Sequence, residues 1–262
     1  MCPSKMHRMH LPKVGEGVIY LPGGVPYEAD DDPKYPAGAY MRLGNKEFIY
    51  AIAGGTLNTD VGAMNSLRQK VVESGCTIEV AAGVLVVGIT IAGAIGGILK
   101  DELAGGQFVA FPGDSNSFVR GIVSNTLVEA GGGTLYVTLD SPTPVVIPIT
   151  KWCDCIANPY SAVKENQGVW AMVMGMPTVK ATEGQGLWLQ VSGPCWAAPV
   201  YGATGPGGAG RVLDCIFKDT GSIAVRHESG DANRDCQHAG VVIATLTVAG
   251  QGSPFIMLQI AH

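Results

Sequence analysis

The sequence predicts an all-β protein: sandwich- or barrel-like domains, one short helix and an extended N-terminal arm. Three observations lead there. Glycine (37) and proline (16) make up near a fifth of the 262 residues, and both interrupt helices and mark turns. Several segments alternate apolar and polar residues with period two, the signature of a half-buried strand. Glycine-rich turns separate those segments at roughly 8–14 residue intervals, as in sandwiches and barrels. The glycines lack the three-residue repeat of collagen.

Residues 1–45 carry Pro3, Pro12, Pro22, Pro26, Pro33 and Pro36 and the acidic run Asp30-Asp31-Asp32. This reads as an arm ordered by whatever it lies upon, with a free terminus as the alternative. Its Tyr20, Leu21, Tyr27, Tyr35 and Tyr40 are the candidate partner-binding side chains. The one helix is expected over 61–73. Asn58, Thr59 and Asp60 can cap it, Val61, Met64, Leu67 and Val71 form its apolar face, and Gly75 can end it.

Gly83–Leu99 contains no charge over seventeen residues, short of the roughly 20 that a spanning helix needs. Its glycines and β-branched residues suit two buried strands joined by a glycine turn. Strands follow at Phe108–Phe111 and Leu135–Leu139, then at Leu187–Val191, Val212–Phe217, Ser222–Arg226, Val241–Val248 and Pro254–Ile260. The expected division is an arm over 1–45, a β-rich domain over 46–157 and a second β domain over 158–262.

Composition narrows the function. Apolar residues are 47% and charged residues 15%, with a net charge of −5. A nucleic-acid surface needs a basic patch, and Lys5, Arg8 and Lys13 are merely scattered, so no nucleic acid is expected as a partner. So little charge suits a chain that buries extra surface in an assembly. The seven cysteines, Cys2, Cys76, Cys153, Cys155, Cys195, Cys215 and Cys236, have no zinc or CxxC spacing and read as buried free thiols of a reducing compartment. MCPSKMHRMHLPKV has no apolar core of a secretory signal.

Catalytic signatures are weak. Gly205-Pro-Gly-Gly-Ala-Gly210 matches a dinucleotide-binding glycine pattern, but a strand is expected after it where a helix is needed. Gly113-Asp114-Ser115 resembles part of a serine-hydrolase motif, but such enzymes need a His base paired with an acid. The chain has only five histidines, and nothing near His262 supplies an Asp at a sensible spacing. The segment Arg226–His238 holds the metal-capable His227, Asp231, Asp235, Cys236 and His238 without the spacing of a zinc or calcium loop. Trp152, Trp170, Trp188 and Trp196 are expected in core or interface packing. No enzyme activity, cofactor or metal is expected.

The residues carry a resemblance. Gly106-Gln-Phe-Val, Val119-Arg-Gly-Ile122, Leu135-Tyr-Val-Thr-Leu-Asp140-Ser-Pro142, Asn158-Pro-Tyr160, Gly186-Leu-Trp-Leu-Gln190-Val-Ser-Gly193-Pro-Cys-Trp196, Gln237-His-Ala-Gly240-Val-Val-Ile-Ala and Gly252-Ser-Pro-Phe-Ile-Met-Leu-Gln259 are similar to capsid decoration, or cement, proteins of tailed bacteriophages. The resemblance spans about residues 75–262 in ordered pieces of turn and strand pattern. It implies a non-enzymatic, β-rich virion protein, commonly a homotrimer, on the outer capsid surface, with the major capsid protein and itself as partners and no membrane. It transfers no functional residue. The alternatives are another virion subunit (tail or minor capsid), a small serine hydrolase using Ser115, and a cytoplasmic β-barrel binding module.

Overall fold

The computed structural model describes residues 25–260 apart from 66–68, 77–78, 93–96, 114–115, 150, 168–170, 199–213, 226–236 and 245–254. Among the described residues a 3-10 turn over Val25–Tyr27 is followed by fifteen strands. They are β1 Tyr40–Leu43, β2 Lys46–Ile52, β3 Ala63–Met64, β4 Gln69–Gly75, β5 Val86–Ala92, β6 Gln107–Phe111, β7 Phe118–Asn125, β8 Gly132–Leu139, β9 Trp152–Ile156, β10 Val173–Pro177, β11 Gly186–Trp196, β12 Asp214–Phe217, β13 Ile223–Val225, β14 His238–Ala244 and β15 Phe255–Gln259. The all-β expectation holds.

Among the described residues the helix expected over 61–73 is absent: β3 lies at Ala63–Met64 and β4 begins at Gln69. Tertiary bonds consume its groups. The Asn58 side chain, expected as a cap, donates from Nδ2 to Glu165 Oε2 at 3.1 Å, and its backbone N–H donates to Glu165 Oε1. Gly62 N–H donates to Gly221 O and Met64 N–H to Lys164 O. Hydrogen bonds of this kind outweigh a weak local helix preference.

The chain divides into two compact units, 1–64 with 163–262, and 65–162. This replaces the expected linear division, because β2 pairs with β11 across well over a hundred residues. The first unit is an antiparallel sheet in the order β1-β2-β11-β15-β14-β12-β13, with β10 joined to β11 off that path and β3 paired to β10. The long β11 organises it. Gly186–Ser192 pair with β2, and Ser192–Trp196 pair with β15. Gly193, inside β11, needs to be glycine: φ is +95°, and a Cβ there would lie 2.3 Å from the Asn45 carbonyl oxygen.

Part of the expected arm belongs to this unit. Asp30 N–H donates to Gly186 O, and Gly186 N–H returns a bond to Asp30 O. Tyr35 packs with Met41, Phe48, Tyr50 and Trp188 in one buried cluster. Tyr35, Tyr50 and Trp188 meet with ring centroids 5.1–5.3 Å apart, the edge-on and tilted geometry that aromatic quadrupoles favour.

The second unit is a six-stranded antiparallel sheet, β4-β9-β6-β7-β8-β5. Its two edge strands meet where Cys76, directly after β4, bridges to Ile89 of β5, so the sheet is a nearly closed barrel. Alternation fills the inside: Val87, Ile89, Ile91, Phe108, Ile122, Leu135, Val137 and Leu139 point into the core with Cys153 and Cys155. A barrel this small is packed by its own side chains rather than hollow. Among the described residues the uncharged run 83–99 contributes the half-buried strand β5, with Val87, Ile89 and Ile91 buried but Leu85, Val86 and Leu99 exposed, and the buried Ile98 bridges to Val128. No helix among the described residues is long and apolar enough to cross a membrane.

Candidate interaction surface

The sequence-predicted binding residues do not converge. Tyr20 and Leu21 lie outside the described residues. Tyr27 is exposed beside the 3-10 turn. Tyr40 is half-buried in β1, opposite Ile49. Tyr35 is buried in the aromatic cluster and is withdrawn as a partner contact. The segment 25–45 therefore folds onto its own body, because three aromatic rings offer it more apolar contact than solvent does.

A buried polar device holds that segment. Tyr50 Oη donates to Asp30 Oδ2 at 2.7 Å and accepts the Lys34 N–H at 3.1 Å. The Lys34 ammonium pairs with Asp30 Oδ1. Burial, and then the bond to Asp30, push the Tyr50 hydroxyl well above the ordinary tyrosine range. All ring and carboxyl positions here are committed to packing or to one another, so the device is structural.

Other singled-out features separate in the same way. Ser115, Gly205–Gly210 and Arg226–Cys236 lie outside the described residues. Gln237, at the end of the polar segment, clamps β10: its Oε1 accepts Val173 N–H at 2.7 Å and its Nε2 donates to Val173 O at 2.9 Å. His238 Nε2 meets Asp214 Oδ1 at 2.7 Å on a partly exposed strand pair. Among the described residues no group of three His, Cys, Asp or Glu side chains could hold a metal ion.

Cys76, Cys153, Cys155, Cys195 and Cys215 are buried thiols outside any disulfide, and burial pushes those of Cys155, Cys195 and Cys215 up to about 12.

What the barrel does present is an apolar outer face. Because strand residues alternate, the positions between the core residues of β9, β6 and β7 point outward together. Trp152 stands opposite Phe111, and Val109 stands between Asp154 and Val119 in the next row. Ile156 lies opposite Gln107. Trp152 and Val119 are each 52% exposed, Phe111 40% and Ile156 41%. Directly opposed side chains sit about 4.5–5.5 Å apart, so these residues form one continuous patch in which Asp154 is the charged position. Tyr136 on β8 and Val123 on β7 are also half-exposed.

Aromatic enrichment and depletion of charge mark the centres of protein interfaces, and patches of this kind are uncommon on a free monomer surface. The sequence offered a signal for this face: on a half-buried strand, apolar residues at the outward as well as the inward positions of Gln107–Phe111 have no core to explain them. The arrangement can bind a flat apolar partner surface. No known protein family, curated protein or solved structure matches this chain.

Proposed function

We propose that this chain is a non-enzymatic structural protein. In this reading it attaches as a homotrimer to the outer surface of a tailed-phage capsid and strengthens the contacts between major capsid subunits. The observation that carries the binding role is the outer face of β9, β6 and β7, where Trp152, Phe111, Val119 and Ile156 lie side by side in solvent. An attachment surface that must hold without a deep pocket needs this kind of flat, aromatic-rich, charge-poor patch. The similarity of the turn and strand segments to capsid decoration proteins supplies the partner. The net charge of −5 suits the outer capsid face better than the face turned to DNA.

The test combines quantity and site. Purified virions carrying the full chain are analysed by quantitative mass spectrometry, and the Phe111→Ser, Val119→Ser double variant is tested for attachment to capsids that lack the protein. The expected result is a copy number in proportion to the major capsid protein, and a double variant that folds but fails to attach. A few copies per particle, or full attachment of a folded double variant, overturns the reading.

A further inference from the structure

At the seam where the barrel closes, two thiols touch. Cys76 follows β4 and Cys153 lies in β9, and their sulfurs are 3.4 Å apart. Cys76 donates its backbone N–H to Lys151 O at 3.3 Å and bridges to Ile89 on the other side. It is therefore held between β9 and β5, and both side chains are buried in the barrel core. We propose that Cys76 and Cys153 are an oxidation site: a peroxide converts them to a disulfide that latches the barrel seam. This inference rests on the barrel alone and not on the capsid reading.

The chemistry balances with hydrogen peroxide as the oxidant. The Cys76 thiolate attacks one peroxide oxygen, the O–O bond breaks, and hydroxide leaves and takes up the thiol proton as water. The resulting Cys76 sulfenic acid is attacked by the Cys153 sulfur. The S–S bond forms, the S–O bond breaks, and the second water leaves with the Cys153 proton. Two thiols are oxidised and one peroxide is reduced to two waters.

The two sulfurs share one hydrogen bond that either can donate. With Cys153 as the donor the bond holds the Cys76 thiol below its ordinary value, so Cys76 is assigned as the attacking sulfur. Cys155, two residues along β9 on the same inward side, is the natural competitor. Its burial keeps it a thiol. A peroxide is small enough to reach a buried pair during brief opening of the seam. A disulfide needs the sulfurs at about 2.05 Å, a short rotation from contact distance.

The bond would join residues 77 positions apart, closing a loop that takes in most of the unit 65–162. Cross-links that close long loops restrict the unfolded chain most.

The full-length chain is treated with hydrogen peroxide, its remaining thiols are alkylated, and the peptides are mapped without reduction. A second sample is melted before and after dithiothreitol. The expected result is a Cys76–Cys153 linked peptide and a melting temperature raised by about 5 °C or more, reversed by the reductant. Cys155→Ser should keep both effects, and Cys153→Ser should lose both. The wild-type peptide map stands on its own if a variant does not fold. Cys76 and Cys153 both still alkylated after oxidation, a cross-link through Cys155 instead, or a linked protein with an unchanged melting temperature overturns the proposal.

Discussion

Replacing Tyr50 by Phe removes a single oxygen from the device that straps residues 25–40 to the first unit. The aromatic packing against Tyr35 and Trp188 stays. What is lost is the bond to Asp30 Oδ2 at 2.7 Å and the acceptor for Lys34 N–H at 3.1 Å. Asp30 is 7% exposed, so water cannot freely replace the donor. A hydrogen bond to a charged group contributes about 1.5–3 kcal/mol and a neutral one about 1 kcal/mol. Some of this is offset because the variant buries no hydroxyl, which leaves an expected loss of about 2–3 kcal/mol. For a body of this size that lowers the melting temperature by about 4–10 °C.

The pH dependence gives a second readout with a definite sign. The folded state holds the Tyr50 proton more tightly than the unfolded chain, where tyrosine titrates near 10. The stabilisation is therefore complete below about pH 10 and is lost as pH rises above that value. The thiols of Cys155, Cys195 and Cys215, pushed up to about 12 from an ordinary 9.0, lose stability with the same sign from about pH 9 upward. They are common to both proteins, so the difference between wild type and Tyr50→Phe isolates the hydroxyl. The assay is thermal unfolding followed by circular dichroism from pH 7 to 11. A variant that melts with wild type at pH 7, or that shows the full wild-type alkaline loss, refutes the reasoning.

Three further outcomes follow from the packing. Gly186→Ala should cost about 1–3 kcal/mol, because its Cβ would lie 1.9 Å from Tyr50 Oη. Combined with Tyr50→Phe the cost should be less than additive, as denaturant melts of the four proteins would read. Asn125→Ala should cost about 2–4 kcal/mol in the same measurement. It strips Leu103 N–H of its acceptor at 2.8 Å and the carbonyls of Leu99 and Thr126 of their donors at 2.9 Å, at a position that is 3% exposed. Deleting residues 2–40 should lower the melting temperature by at least as much as Tyr50→Phe, since it removes Asp30 and Tyr35 and uncovers Phe48, Tyr50 and Trp188. An unchanged melt would return the segment to the role of a detachable arm.

The sequence by itself determined which residues form strands wherever one face is core and the other is polar. Leu135, Val137 and Leu139 are buried as their alternation required, with Tyr136 exposed between them. Leu187, Leu189 and Val191 are buried as well, although Trp188 and Gln190 between them are also buried. The strands at 214–217, 223–225 and 255–259 fall where glycine-bounded apolar runs placed them, while β14 begins three residues before the expected Val241 and meets that expectation over 241–244. These are local facts, fixed by the two-residue period of extended backbone.

Tertiary structure decided the rest, because long-range hydrogen bonds and pairing carry no local signature. Glu165, distant in sequence, took the Asn58 side chain that would have capped a helix, and the expected helix became β3 and β4. The rings of Tyr50 and Trp188 drew Tyr35 inward, so a residue of the apparent arm became core. The outer patch on β9, β6 and β7 joins Trp152 to Phe111, and the seam joins Cys76 to Cys153. Both exist only because barrel closure brings together strands far apart in the chain, which the period of any one strand does not encode.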